Sequence, residues 1–262
     1  MYLKKYYQLM HKGFSKYSQY RFNALARFLS AFIFLAVLYY LWKAIAASGS
    51  LERSFMEIFT YLVMARIVAS TVSISVENRI GTLVRRGNVV NELKRPVSLR
   101  TQMFFGELGV SVFKTLTRSI PVFLVMLFFI EIPLPGSLRF LGFLFSLGLA
   151  YCLVFLFSYS MAMFVFWTKV GWSLAFIRDF LTRFFGGGLF PLYILPPFLQ
   201  NAFSFLPFKS MIYTPASIFV GEVALSNIPN ILFKQLVWLG ILFLASSLIW
   251  RRAKEKLTVQ GG

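Results

Sequence analysis

The stretch Val76–Arg100, VENRIGTLVRRGNVVNELKRPVSLR, is a polar island between long apolar segments. It carries Arg79, Arg85, Arg86, Lys94, Arg95 and Arg100 against two acids, Glu77 and Glu92. Lys and Arg resist translocation, so an island of this kind between membrane spans stays cytosolic. It is too long for a turn between two helices. Apolar residues at 83, 84, 89, 90 and 93 predict a short amphipathic helix across its middle. Pro96 ends that helix, because the residue before a proline avoids helical backbone angles. A short helix held below the membrane by two spans is a lever that a soluble partner can push.

The flanking segments set the class. The 262 residues are 58% hydrophobic and only 14% charged, whereas soluble domains carry about 25% charged residues. Long uncharged runs indicate an all-α integral membrane protein. The net charge of +18 comes from 27 basic and 9 acidic residues. Nucleic acid is one reading of that excess. The cations sit between and beside apolar spans, however, which fits the positive-inside bias and anionic lipid headgroups. Membrane lipids are therefore the expected partners, and nucleic acid is not. A single cysteine, Cys152, and a single histidine, His11, leave no basis for a disulfide framework or a zinc, haem or iron–sulfur site.

Residues 1–27 interleave Lys4, Lys5, Lys12, Lys16, Arg21 and Arg27 with Tyr2, Tyr6, Tyr7, Phe14, Tyr17 and Tyr20, and contain no acid. That mixture predicts a basic helix lying in the headgroup layer. Spans are expected near 28–42, 55–75, 111–130, 140–167, from about Gly171, and 231–250. In the second, Glu57 and Arg66 are nine residues apart and face opposite sides of a helix, so they cannot pair. In the third, Glu107, Ser111, Lys114 and Arg118 form one polar stripe. The fifth contains Arg178, Asp179 and Arg183, of which the last two are at pairing distance on a helix. Ionisable groups at such depth face a bundle interior or a wet cavity. Glu57, Arg66, Arg178, Asp179 and Arg183 are thus candidate path residues.

After the fifth segment come Gly186, Gly187 and Gly188, then an apolar run broken by Pro191, Pro196, Pro197 and Pro207. No uninterrupted helix there reaches the roughly 20 residues of a span. Residues 186–207 are read as two half-helices that re-enter the membrane from outside and pack in protein, where broken backbone is tolerated. The basic N-terminal arm, the 76–100 loop and the tail Arg251, Arg252, Lys254 and Lys256 outweigh Arg53, Arg139 and Lys209 on the other loops. Six spans with both termini cytosolic satisfy that count.

No Gly-x-x-x-x-Gly-Lys-Ser/Thr loop is present and no Ser/His/Asp set can be built around His11. Any ATP hydrolysis belongs to another chain. Val84–Pro96, with Arg85-Arg86-Gly87-Asn88 and Glu92-Leu93-Lys94-Arg95-Pro96, resembles the cytosolic loop of type-2 exporter permeases of ATP-binding-cassette (ABC) transporters, with Lys94 in place of an apolar residue. Gly187-Gly188-Leu189-Phe190-Pro191, then Leu195-Pro196 and Phe198-Leu199-Gln200, resemble the pattern after that family's fifth span. Leu206-Pro207-Phe208, Tyr213-Thr214-Pro215 and Ile218-Phe219-Val220-Gly221 resemble the approach to its sixth.

The resemblance implies one permease domain over 1–262 in a cell membrane, by extension a bacterial cytoplasmic membrane. It implies coupling through Arg85, Arg86, Gly87, Asn88, Glu92, Leu93, Arg95 and Pro96. It implies an outer gate at Gly187, Gly188, Pro191, Pro196, Phe198 and Pro207. It further implies a second permease chain and two ATPase subunits, with ATP and Mg on those partners and no cofactor on this chain. A secondary transporter or channel, and a membrane assembly factor without transport, are the alternatives. The first predicts an internal repeat, and none is seen.

Overall fold

The computed structural model describes residues 2–18, 21–49 and 53–258. Tyr20, and the side chains of Tyr2 and Arg21, lie outside what is described. Among the described residues all regular structure is helical.

Helix α1 (Tyr2–Ser18) leads to α2 (Arg21–Ala47). Then α3 (Phe55–Thr71) and α4 (Val76–Arg85) follow one another with a short break between them, and α5 (Val89–Leu93) completes the basic island. Helix α6 (Leu99–Lys114), a π-helical turn at Thr115–Ser119 and α7 (Ile120–Phe129) form one continuous rod. Next come α8 (Ser137–Met163), α9 (Val165–Thr168), α10 (Trp172–Phe185), α11 (Pro197–Ser204), α12 (Tyr213–Val220) and the long α13 (Ile228–Thr258). Five stretches are long and apolar enough to cross a membrane: Leu25–Ala47, Phe55–Arg85, Leu99–Phe129, Ser137–Thr168 and Leu225–Lys256. A buried core of α3, α8 and α12 side chains, including Tyr61, Leu62, Phe155, Tyr159 and Ile218, holds them together.

Two expectations change. The amphipathic helix across residues 83–93 is interrupted: α4 ends at Arg85 and α5 starts at Val89. Gly87 adopts φ +67°, Asn88 N–H donates to the Leu83 carbonyl, and Gly87 N–H donates to that of Val84. This pair of hydrogen bonds at a left-handed glycine closes a helix C-terminus. Second, α10 has 14 residues, about 21 Å of helix, too short for the single uninterrupted span placed there. Gly186–Gly188 forms a closed cap, with Gly187 at φ +73° and Gly188 N–H bonded to the Arg183 carbonyl at 2.8 Å.

Helix α1 packs lengthwise on α6. Tyr6 stacks on Phe105 and Phe14 meets Phe113 edge-on. A Cβ on Gly13 or Gly109 would run into the backbone of the facing helix. Small residues of this kind let two helix backbones approach closely.

Helices α8 and α13 run in the same direction. Gly142 faces Ile228, Gln235 Nε2 donates to the Ser146 carbonyl, and Tyr159 and Phe166 both meet Trp250. The chain between them therefore returns to the level where α8 began. It does so by zigzag. Tyr61 Oη donates to the Gly187 carbonyl at 2.8 Å, and Tyr193 lies under the Arg53 guanidinium at 4.0 Å. The chain then turns back until Phe208 packs on Phe157 and Phe185. From there α12 climbs until Glu222 meets Arg53 again at 3.2 Å. Gln200 Nε2 pins the first bend by donating to the Tyr193 and Leu195 carbonyls.

Candidate functional site

Between α3 and α4 the helix stops for Val72, Ser73, Ile74 and Ser75. Val72 and Ile74 are buried, so the freed backbone groups need partners other than water. The predicted stripe on α6 supplies most of them. Ser111 Oγ donates to the Thr71 carbonyl, Lys114 Nζ donates to that of Ser73 at 2.9 Å, and a Glu107 oxygen accepts from Ser75 N–H at 3.1 Å. Arg118, the last member of the stripe, is carried by the π-helical turn. Pro121 lies two residues beyond it and has no N–H to give the Thr117 carbonyl, which is the kind of lesion that widens a helix.

The remaining partner comes from α10. Arg178 Nη2 donates to the Ile74 carbonyl at 2.6 Å, and Nε donates to Glu77 Oε1 at 3.0 Å. Nη1 reaches Asp179 at 2.5 Å, and Asp179 in turn accepts from Arg183 Nη2 at 2.9 Å. The Arg178 and Glu77 side chains are 4% and 0% exposed. A few residues away, a Cβ at Gly171 would strike the Glu77 carbonyl, and one at Gly81 would meet the Gly171 backbone at 3.0 Å. Helix α4 and the start of α10 are thus in backbone contact and joined by a buried ion pair.

The C-terminal end of α4 carries the basic island. Arg85, Arg86, Gly87, Asn88, Leu93, Arg95 and Pro96 are exposed, and so is Val90, while Val89 is buried beneath them. Glu92 pairs with Arg95 at 2.8 Å. Gln102 Nε2 reaches back from α6 to the Glu92 and Val97 carbonyls, and Gln102 is 1% exposed. The loop is held from beneath and presents cations beside the apolar Val90 and Leu93.

A family described as ABC-2 family transporter protein matches residues 25–261. The chain belongs to the ABC-2 transporter family. It is a transmembrane permease component, and the ATPase of such a transporter is a separate part. No curated protein and no solved structure matches the chain.

In this permease the sequence-predicted residues fall into three places. Arg178, Asp179 and Arg183 come together on α10, with Asp179 and Arg183 paired as their spacing requires. Arg66 stands with Arg118 beside a small notch, its guanidinium 4.3 Å from the Phe34 ring centre. Glu57 is elsewhere: it lines a cavity of about 310 Å³ with Arg53, Glu131 and Glu222 at the opposite end of α3. Of the residues expected at an outer gate, Gly187 and Gly188 cap α10, Pro191 and Pro196 flank the first bend, Phe198 is exposed on α11, and Pro207 precedes the packed Phe208.

Sequence reasoning missed Glu77 as the partner of Arg178, a contact across 101 positions. It also missed Gln102 and the glycine contact of α4 with α10. A buried arginine demanding an acid was the available signal, but it did not say which acid.

Proposed function

We propose that this permease is the membrane subunit of an ATP-driven exporter. Two such chains, identical or related, pair around a path and are driven by two ATPase subunits that bind ATP and Mg. The observation that carries this reading is the rigid joint of α4 and α10. The exposed lever at 85–96 sits at one end, and the Arg178–Asp179–Arg183 chain leads to the 186–188 cap at the other. A push on Arg85, Arg86 and Leu93 is transmitted through Glu77–Arg178 to Gly187, where the zigzag begins. Charged and apolar groups on the lever suit a partner groove.

The parallel course of α8 and α13 favours six crossings. With the N-terminus cytosolic, α8 runs inward, so α13 does too, and the 169–227 segment completes the missing crossing through α10 and α12. The backtrack between Tyr193 and Phe208 is then the re-entrant hairpin, lying in the outer half of a bacterial cytoplasmic membrane. Both termini and the basic tail stay cytosolic, as the charge bias requires.

The test is coexpression with the cognate ATPase. Arg85→Glu, Arg86→Glu and Glu92→Lys together are expected to leave membrane insertion intact while abolishing capture of the ATPase and stimulation of its hydrolysis. Undiminished capture by the reversed loop would remove the coupling assignment.

A further inference from the structure

The charges around the α3–α4 break do not balance. Five cations, Arg66, Lys114, Arg118, Arg178 and Arg183, face three carboxylates, Glu77, Glu107 and Asp179, which leaves +2. Arg178 is satisfied by Glu77 and the Ile74 carbonyl, and Asp179 is already shared with Arg183. Arg66, Arg118 and Arg183 lie within electrostatic range of one another, and Arg27 of α2 adds to the field at Arg118. Among the described residues, Arg118 makes no hydrogen bond or ion pair. Arg66 Nε is buried without a partner, as is Ser70 Oγ one turn away. Phe34 covers the face of the Arg66 guanidinium, so its N–H edge is what remains available. Arg66 is also about 16 Å along α3 from Phe55, at a depth where water is scarce.

We propose that Arg66 and Arg118, side by side at this notch, form a site for a phosphate-type oxyanion carried on an amphiphile. Guanidinium forks match such an anion with paired, charge-assisted hydrogen bonds. Its charge offsets the excess that this chain leaves unmatched, and ionisable groups at membrane depth mark ligand paths. The notch between Arg66, Ser70, Arg118 and Ser119 has about 10 Å³ of free space, room for one water at most. The oxyanion therefore sits across the mouth of the notch, against the partly buried guanidinium groups of Arg66 and Arg118, with its apolar tail outside the chain. The role of this site in transport rests on the export reading. Binding does not, and it is measured on the isolated chain.

The experiment uses the purified full chain in phosphate-free maltoside micelles. Dodecyl phosphate, dioleoyl phosphatidic acid and, as the phosphate-free control, dioleoylglycerol are added in turn. Retained adducts are counted by native mass spectrometry, alongside the shift in melting temperature. Wild type is expected to retain a phosphate amphiphile about tenfold more tightly than Arg66→Gln/Arg118→Gln, and to ignore dioleoylglycerol. Retention of phosphatidic acid together with dodecyl phosphate assigns the ligand to membrane lipid. Retention of dodecyl phosphate alone assigns it to a single-chain amphiphile.

Without ligand the glutamine pair should melt no lower than wild type, because it relieves like-charge repulsion. Arg66→Lys/Arg118→Lys should keep part of the binding, and Lys254→Gln/Lys256→Gln in the tail should keep all of it. If the glutamine pair does not fold, Arg118→Gln alone carries the same expectation, having no hydrogen bond to lose. Equal retention by wild type and Arg118→Gln, or equal retention of phosphate amphiphile and dioleoylglycerol, overturns the proposal.

Discussion

The two ends of α3 are held by different forces. At the 72–75 break, carbonyls and an N–H freed by the missing turn are matched by Ser111 and by charged side chains of α6 and α10, the latter at 2.6–3.1 Å. At the other end, Tyr61, Tyr193 and Tyr213 pack around the zigzag with one hydrogen bond to the Gly187 carbonyl. Phe184, Phe185 and Phe203 contact each other with ring centres 4.8–6.3 Å apart. Charge-to-backbone bonds are directional and leave costly orphans when broken. Aromatic contacts tolerate several geometries of similar energy. In the proposed exporter the joint at 72–75, the inner one, transmits displacement, and the zigzag at the other end of α3, the outer one, repacks under it.

Removing one side of the inner joint should have the largest effect. Glu77→Gln or Arg178→Met leaves a buried charge without its partner, at a cost of about 3–5 kcal/mol. Arg178→Met additionally orphans the Ile74 carbonyl. The paired variant Glu77→Met/Arg178→Met removes both charges and should regain much of the loss in a double-mutant cycle. Denaturant unfolding in mixed micelles measures all three. If the double variant loses the sum of the single losses, the ion pair is not what joins α4 to α10.

The inner joint was half legible. The Glu107, Ser111, Lys114, Arg118 stripe follows from helical spacing alone, and three of its members meet the α3–α4 break. The break itself carries no glycine or proline, only Val72-Ser73-Ile74-Ser75, so no local signal marks it. The Glu77–Arg178 pair is equally invisible, since contacts between distant helices have no period to read. On the outer side, the prolines and glycines told that the helix is broken but not where it turns. The two bends depend on Arg53, Tyr61 and Gln200, which reach in from other segments or from downstream.

A milder change separates packing from hydrogen bonding at the outer end. Tyr61→Phe keeps the ring against Tyr193 and Tyr213 but removes the donor to the Gly187 carbonyl. The expected loss is about 0.5–1.5 kcal/mol, well below that of the inner variants. Amide exchange should accelerate at Gly187 and Gly188 and stay unchanged at Ser75. Acceleration at both places would mean that the two ends unfold as one unit and that the contrast between them is false.

The smallest effect is expected at the outer ion pair, and it should depend on pH. Arg53 is 43% exposed and Glu222 12%, so the pair itself contributes little, about 0–1 kcal/mol before screening. Burial pushes the Glu222 carboxyl above its ordinary value, outweighing the Tyr213 hydroxyl that donates to it and the Arg53 charge beside it. An acid whose folded pKa is raised binds its proton more tightly in the folded state than in the unfolded one. Its contribution to stability is therefore complete below the unfolded pKa and is lost as pH rises through the folded pKa. Glu222→Gln is neutral throughout and should flatten the dependence in that window. The melting temperature of wild type relative to Glu222→Gln should fall as pH rises from the unfolded carboxylate value toward neutrality. A relative rise would mean that Arg53 and Tyr213 dominate the site and that the outer end, like the inner one, is held by charge.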